Sequence, residues 1–164
     1  MKKIAIIGAG ISGLFIANLL KKNSNYEIAI YEKNTPVTLE EGYGVQLSVN
    51  SIRILNEIGF QKLENNKKFT PKKIDFYSNE NSNKICELDI TEFNSEDCQY
   101  TTLKRSSLIN FLKTDLEGLI KTGYNISKID QEDKQIKLYF ENDEAKKCDY
   151  LIISDGVFSK SKSL

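Results

Sequence analysis

The chain opens on an unbroken apolar run, Ile4 to Ile7, entered through Lys2 and Lys3. A short β-rich run without alternation predicts a strand covered on both faces, over residues 3–7. After the glycines of GAGISG, residues 13–22 read as a helix carrying Leu14, Ile16, Ala17, Leu19 and Leu20. The polar stretch KKNSN ends it, and lysines suit the negative end of the helix dipole. Residues 27–31 (EIAIY) predict a second strand, closed by Glu32. This is a β-α-β unit of about thirty residues, whose two strands are expected to be parallel.

Farther along, residues 34–47 read as a loop, with Pro36 and the glycines of EGYGV. Residues 50–58 predict a helix capped by Asn50 or Ser51 and stopped by Gly59. Residues 74–77 and 84–88 predict two strands around the turn NENSN. Leu108, Ile109, Leu112, Leu116 and Leu119 recur at three- and four-residue spacing, predicting an amphipathic helix over 105–119. Short strands follow at 125–129, 135–140 and, more weakly, 145–147. In the middle one, Ile136, Leu138 and Phe140 alternate with Lys137 and Tyr139, as on a half-exposed strand. A last buried strand is expected at 150–153, running into Ser154-Asp155-Gly156. No repeat, linker or targeting segment interrupts this order.

The three glycines have separate uses if a strand turns directly into a helix. Gly8 makes the tight turn, Gly10 lets a ligand approach the backbone, and Gly13 lets helix and strand pack closely. Free amides and the positive dipole end then face an anion, with Ile11 and Ser12 between the glycines and Ser12 adding a hydroxyl donor. Ala17 is another small residue on the sheet-facing side. Glu32 lies nineteen residues after Gly13, where a carboxylate can accept hydrogen bonds from both ribose hydroxyls and would repel a 2′-phosphate. Strand, turn, helix, strand and acid in this order predict a dinucleotide site, with FAD and NAD both open on this pattern alone.

Composition narrows the chemistry. Lys+Arg and Asp+Glu balance at 23 each in 164 residues, so no strong field recruits nucleic acid or an anionic membrane. The chain contains no His, which excludes histidine-based triads, His metal ligands and a His general base within it. Cys86, Cys98 and Cys148 are widely spaced and lack a zinc-site pattern, so no metal is expected; three scattered thiols suit a reducing cytoplasm. The apolar N-terminal stretch is broken by three glycines, Ser12 and Asn18, so it reads as strand plus helix rather than a membrane span. Only Arg53 and Arg105 are Arg; Arg53 reads as a solvated helix residue.

Four stretches resemble the FAD-dependent aromatic-ring monooxygenases, the group around p-hydroxybenzoate, salicylate and ubiquinone-pathway hydroxylases. They are IAIIGAGISGLFIANLL with IAIYEK, GYGVQLSVNSIRILNEIGF, LKRSSLINFL, and CDYLIISDGVFSKSK. The resemblance implies an α/β fold: a Rossmann-like FAD-binding domain with a parallel sheet, helices and a β-meander. It would span residues 1–164, with the first strands of a β-rich substrate domain inserted at 70–100. It implies FAD as cofactor, NAD(P)H as co-substrate, and oxygen insertion into an aromatic or similar small molecule. Cofactor contacts are implied for Gly8, Gly10, Ile11, Ser12, Gly13, Glu32 and Lys33, for Arg105 near the flavin or its pyrophosphate, for Ile126 beside adenine, and for Asp155. No catalytic acid or base is implied. Lys162 stands where this family's Asp-Gly motif usually has Arg, and a Lys cannot make the same two-point contact. Ser154 replaces the usual small pair before Asp155.

Family members are much longer, so the chain reads as a truncated piece. A second chain supplying the remainder is one expectation. Alternatives are a non-catalytic dinucleotide-binding fragment, or another FAD oxidoreductase such as a reductase or halogenase; the lack of Trp counts against the halogenase. A cytoplasmic location is expected, with peripheral membrane association if the protein is ubiquinone-pathway-like.

Overall fold

The computed structural model describes residues 1–35, 43–133 and 135–164. In chain order the elements are β1 (Lys2–Ile7), α1 (Ile11–Leu20), β2 (Tyr26–Glu32), β3 (Gly44–Leu47), α2 (Val49–Asn56), β4 (Lys68–Phe69), β5 (Lys73–Tyr77) and β6 (Lys84–Asp89). There follow β7 (Thr101–Lys104), α3 (Arg105–Lys113), β8 (Ile120–Thr122), β9 (Ile126–Glu132), β10 (Gln135–Phe140), β11 (Ala145–Cys148) and β12 (Tyr150–Ile153). The chain divides into two units, residues 1–41 with 108–164, and residues 42–107.

The first unit is built on a four-stranded sheet in the order β12-β1-β2-β8. Every neighbouring pair in it is parallel, with Ile4 opposite Ile28 and Tyr150, and Ile30 opposite Ile120. Ile4 to Ile7 are all buried, as a central strand of a two-faced sheet requires. On one face lies α1, with Leu14 and Ala17 fully buried. Its buried Asn18 donates from Nδ2 to the carbonyls of Leu14 (2.9 Å) and Leu112 (2.7 Å), tying α1 to the end of α3. On the other face β9, β10 and β11 form an antiparallel meander. Ala5, Ile7, Tyr31, Ile126, Leu138, Phe140 and Cys148 make one core cluster there. The alternation expected along 135–140 is present, with Leu138 and Phe140 inward.

The second unit holds the antiparallel sheet β3-β7-β4 and the separate hairpin β5-β6. Gly59, at φ 89°, follows α2 and turns the chain as expected.

Four expectations change. Residues 44–47 are strand β3 rather than loop; residues 36–42 of that stretch, Pro36 and Gly42 included, lie outside the described residues. The N-cap of α2 is Ser48, not Asn50 or Ser51, and no side chain caps it. Helix α1 starts and stops two residues earlier than the periodicity suggests. The helix expected over 105–119 stops at Lys113 and resumes only as a 3₁₀ turn at Glu117–Leu119. At that break the Thr114 hydroxyl donates to Asn110 O (2.9 Å), and Leu116 N bonds Lys113 O, tightening the chain out of α geometry. Leu116 is still fully buried, so the apolar spacing survives the break.

Candidate nucleotide site

The site forms at the carboxyl edge of the parallel sheet, where open α/β folds bind ligands. The chain leaves β1 through Gly8 at φ +100°, a conformation side chains resist. A Cβ on Gly8 would also stand 2.5 Å from Ser154 O, and one on Gly13 would stand 2.1 Å from Gly8 O. Both positions are therefore filled by protein backbone. Gly10 differs: its φ is an ordinary −79°, and beyond its chain neighbours nothing lies within 4 Å of where its Cβ would be. Neither strain nor crowding within the protein calls for glycine there. The open space lies at the N-terminus of α1.

Amide hydrogens divide in the same way. Gly8 N donates to Tyr31 O and Ala9 N to Glu32 Oε2, each at 2.8 Å. The amides of Ile11, Ser12 and Gly13 have no acceptor among the described residues. They form the unsatisfied, electropositive end of a ten-residue helix. Ser12 is exposed and Ile11 half-buried.

Glu32 is buried at 9% exposure. Its second oxygen, Oε1, accepts the Asn34 amide at 2.9 Å. The carboxylate thus clamps the end of β2 to the glycine turn while keeping lone pairs free on both oxygens. Beside it runs a cleft lined by Gly8, Glu32, Lys33, Tyr124, Ile126 and Asp155 among others. Lys33 is exposed. Ile126 is buried in the core cluster and also borders the cleft. Tyr31 beneath is held above the usual tyrosine range by burial, which Lys146 partly offsets.

Asp155 follows β12 and accepts from Ser161 Oγ (2.8 Å) and Ser161 N (3.3 Å). Burial works against its ionisation, but the facing hydroxyls of Ser159 and Ser161 and the Ser161 amide outweigh it and hold the carboxyl below its ordinary value. Arg105 belongs to the other unit, where it opens α3; its backbone N donates to Tyr43 O, and its guanidinium has no hydrogen-bond or ion-pair partner among the described residues.

Sequence reasoning read Ser154 only as a departure from a motif. Its hydroxyl donates to Ile7 O (2.8 Å) and Gly8 O (3.3 Å), and its amide also donates to Ile7 O (2.8 Å). It fastens the end of β12 to the glycine turn. The signal was its place directly before Asp-Gly at the end of a buried strand. Phe158 and Lys160, which also line the cleft, carried no signal by spacing.

The family model "NAD(P)-binding Rossmann-like domain" matches residues 6–38. Along 96% of this chain, 6-hydroxynicotinate 3-monooxygenase of Bordetella bronchiseptica is 23% identical, and the match covers 42% of that protein. Salicylate hydroxylase of Pseudomonas putida is 24% identical over 98% of this chain and 37% of its own length. The relatives of this chain are FAD-dependent aromatic monooxygenases. The fold agrees: Klebsiella pneumoniae HpxO, solved with FAD and uric acid, superposes with a TM-score of 0.79 at 16% identity, over 94% of this chain and 39% of that one. The chain spans about two fifths of the length of these monooxygenases. No described helix is long and apolar enough to cross a membrane.

Proposed function

We propose that this chain is the FAD-binding portion of a flavin-dependent monooxygenase that takes electrons from NAD(P)H and hydroxylates a small aromatic substrate with O₂. The observation that carries the reading is Gly10: a glycine that neither strain nor packing requires, facing open space at the head of a helix with unsatisfied amides, on the turn whose Ala9 amide is bonded by the buried Glu32 carboxylate. That donor set fits an adenosine diphosphate group. The amides of Ile11, Ser12 and Gly13 would hold the pyrophosphate, and the free lone pairs of Glu32 would accept from the ribose hydroxyls. When bound, the flavin supplies the redox and oxygen chemistry.

The residues of this chain bind and orient. Ser154 holds the turn carbonyls in place, so the amides that follow keep their direction. Glu32 would disfavour a 2′-phosphate at the same point. Asp155, ionised at neutral pH and fixed by Ser161, would set the loop after β12 beside the cofactor. Lys33 and Lys160 bring positive charge to the cleft.

Calorimetry on the folded chain with ADP and with FAD tests the binding step. Heat with both is expected, and Gly10→Val should abolish it at a loss of only about 1 kcal/mol in stability, the scale of an N-cap replacement. No heat with either ligand overturns the reading. The oxygenase assignment is tested separately in the longest reading frame that contains this sequence, by NADH and NADPH oxidation with and without hydroxylated aromatics; oxidation indifferent to every aromatic would reduce the protein to a flavin reductase.

A further inference from the structure

The segment after β12 is shaped beyond what a sheet connection needs. Gly156 takes φ +88°, and the two hydrogen bonds from Ser161 to Asp155 close residues 156–160 into a loop. That loop carries Phe158 at 92% exposure. The residue nevertheless lines the same cleft as Glu32, Tyr124 and Ile126. Tyr124 is fixed in place: its hydroxyl donates to Glu144 at 2.7 Å, and its ring packs on Tyr31 and Phe140 at 5.2 and 5.1 Å. Phe158 has no ring contact among the described residues. One wall of the cleft is thus aromatic and held, and a second aromatic, exposed, borders it from a braced loop.

The sheet order says which part of a nucleotide arrives there. Across the edge from β1 to β2 to β8, the glycine turn offers phosphate donors, Glu32 offers ribose acceptors, and residues 124–126 follow β8. Phosphate, sugar and base occur in that order in a nucleotide, so the base falls beside Tyr124 and Ile126. We infer that Phe158 stacks on the adenine of the bound nucleotide and closes the cleft over it. The inference rests on the nucleotide-binding reading above and adds a residue that neither the glycine turn nor Glu32 requires. Every base has a π-face, so such a contact adds affinity for the base and none for a sugar phosphate lacking one.

The chain has no Trp, so Phe158→Trp places a single indole reporter in the cleft. Titrating this variant with ADP should quench its emission along the calorimetric binding curve, while ribose 5-phosphate leaves the emission unchanged. Phe158→Ala should weaken ADP about tenfold, within the range of one base–aromatic stack, and Phe158→Tyr should restore it. Because the side chain is exposed, Tm should stay constant across these variants. Equal ADP affinity in Phe158→Ala and wild type, or an indole blind to bound ADP, overturns the stacking role while leaving the site intact. Absence of ADP binding by the wild-type chain is the separate failure of the functional reading itself.

Discussion

The glycine turn and the β5–β6 hairpin are both local motifs of strands and a tight connection, yet they are held by opposite means. Around the turn, backbone meets backbone: Gly13 abuts Gly8, and Gly8 abuts the Ser154–Asp155 peptide. In the hairpin every residue of β6 is exposed. Its charged face is laced by Lys73 to Glu87 and Lys84 to Asp75, each at 2.8 Å, and by Lys84 to Glu87. The opposite face pairs Ile74 with Leu88 and Phe76 with Cys86, and Phe76 and Leu88 remain exposed. The turn tolerates almost no atom added, whereas the hairpin depends on pairs that water and salt can replace. A site that orients a charged ligand benefits from the first kind of construction.

The comparison breaks most visibly at Gly13. Gly13→Ala puts a methyl against Gly8 O and the hydrogen-bonded Ser154 hydroxyl, and a loss of about 3 kcal/mol, the upper end of overpacking costs, is expected in urea unfolding. Next comes Glu32. Glu32→Ala strands the buried amide of Ala9 and releases that of Asn34, and should cost about 1–3 kcal/mol, whereas Glu32→Gln keeps one acceptor and should lose less. Because the alanine change also loosens the turn, ADP affinity should be compared in the glutamine variant. Gly10→Ala should change stability by under about 1 kcal/mol, the scale of an N-cap replacement, yet weaken ADP at least tenfold. That contrast with Gly13→Ala separates a glycine required by the fold from one required by a ligand.

The hairpin defines the small end of the scale. Lys84→Ala should leave Tm unchanged within error, since exposed ion pairs contribute little. Hydrogen bonds from Lys73 and Lys84 lower the Glu87 carboxyl to about 2. A folded value below the unfolded one means that the pairing stabilises above the ordinary glutamate range of 4.5 and is lost as pH falls toward 2. An NMR titration of Glu87 should show the low value in dilute buffer and a return toward 4.5 in about 1 M salt, where the screening length shrinks to about 3 Å. A salt-insensitive value would mean that the hairpin is more sheltered than its exposure indicates.

What could be read in advance follows the same division. The β-α-β unit, the glycine turn and Glu32 were legible because each is a local demand: unbroken apolar strands, a turn without side chains, an acid at a strand end. Strand β8 was not legible. Ile120-Lys121-Thr122 has one apolar residue and becomes a strand only by pairing with Ile30, Tyr31 and Glu32. Strands β3 and β7 likewise exist through each other, Gly44 opposite Lys104 and Leu47 opposite Thr101. The break after Lys113 was hidden because the apolar spacing continues through Leu116 whether or not the backbone stays helical.

By itself, the order of residues determined the class of fold, the place of the glycine turn and the acid at the end of the second strand. These depend on side-chain size and backbone freedom at single positions. Only the tertiary structure decided that Gly8 and Gly13 serve the protein while Gly10 faces open space, that Ser154 fastens the turn, and that Phe158 borders the cleft beside Glu32. Each of those facts is a distance between segments up to about 147 residues apart, and no local pattern encodes such a distance.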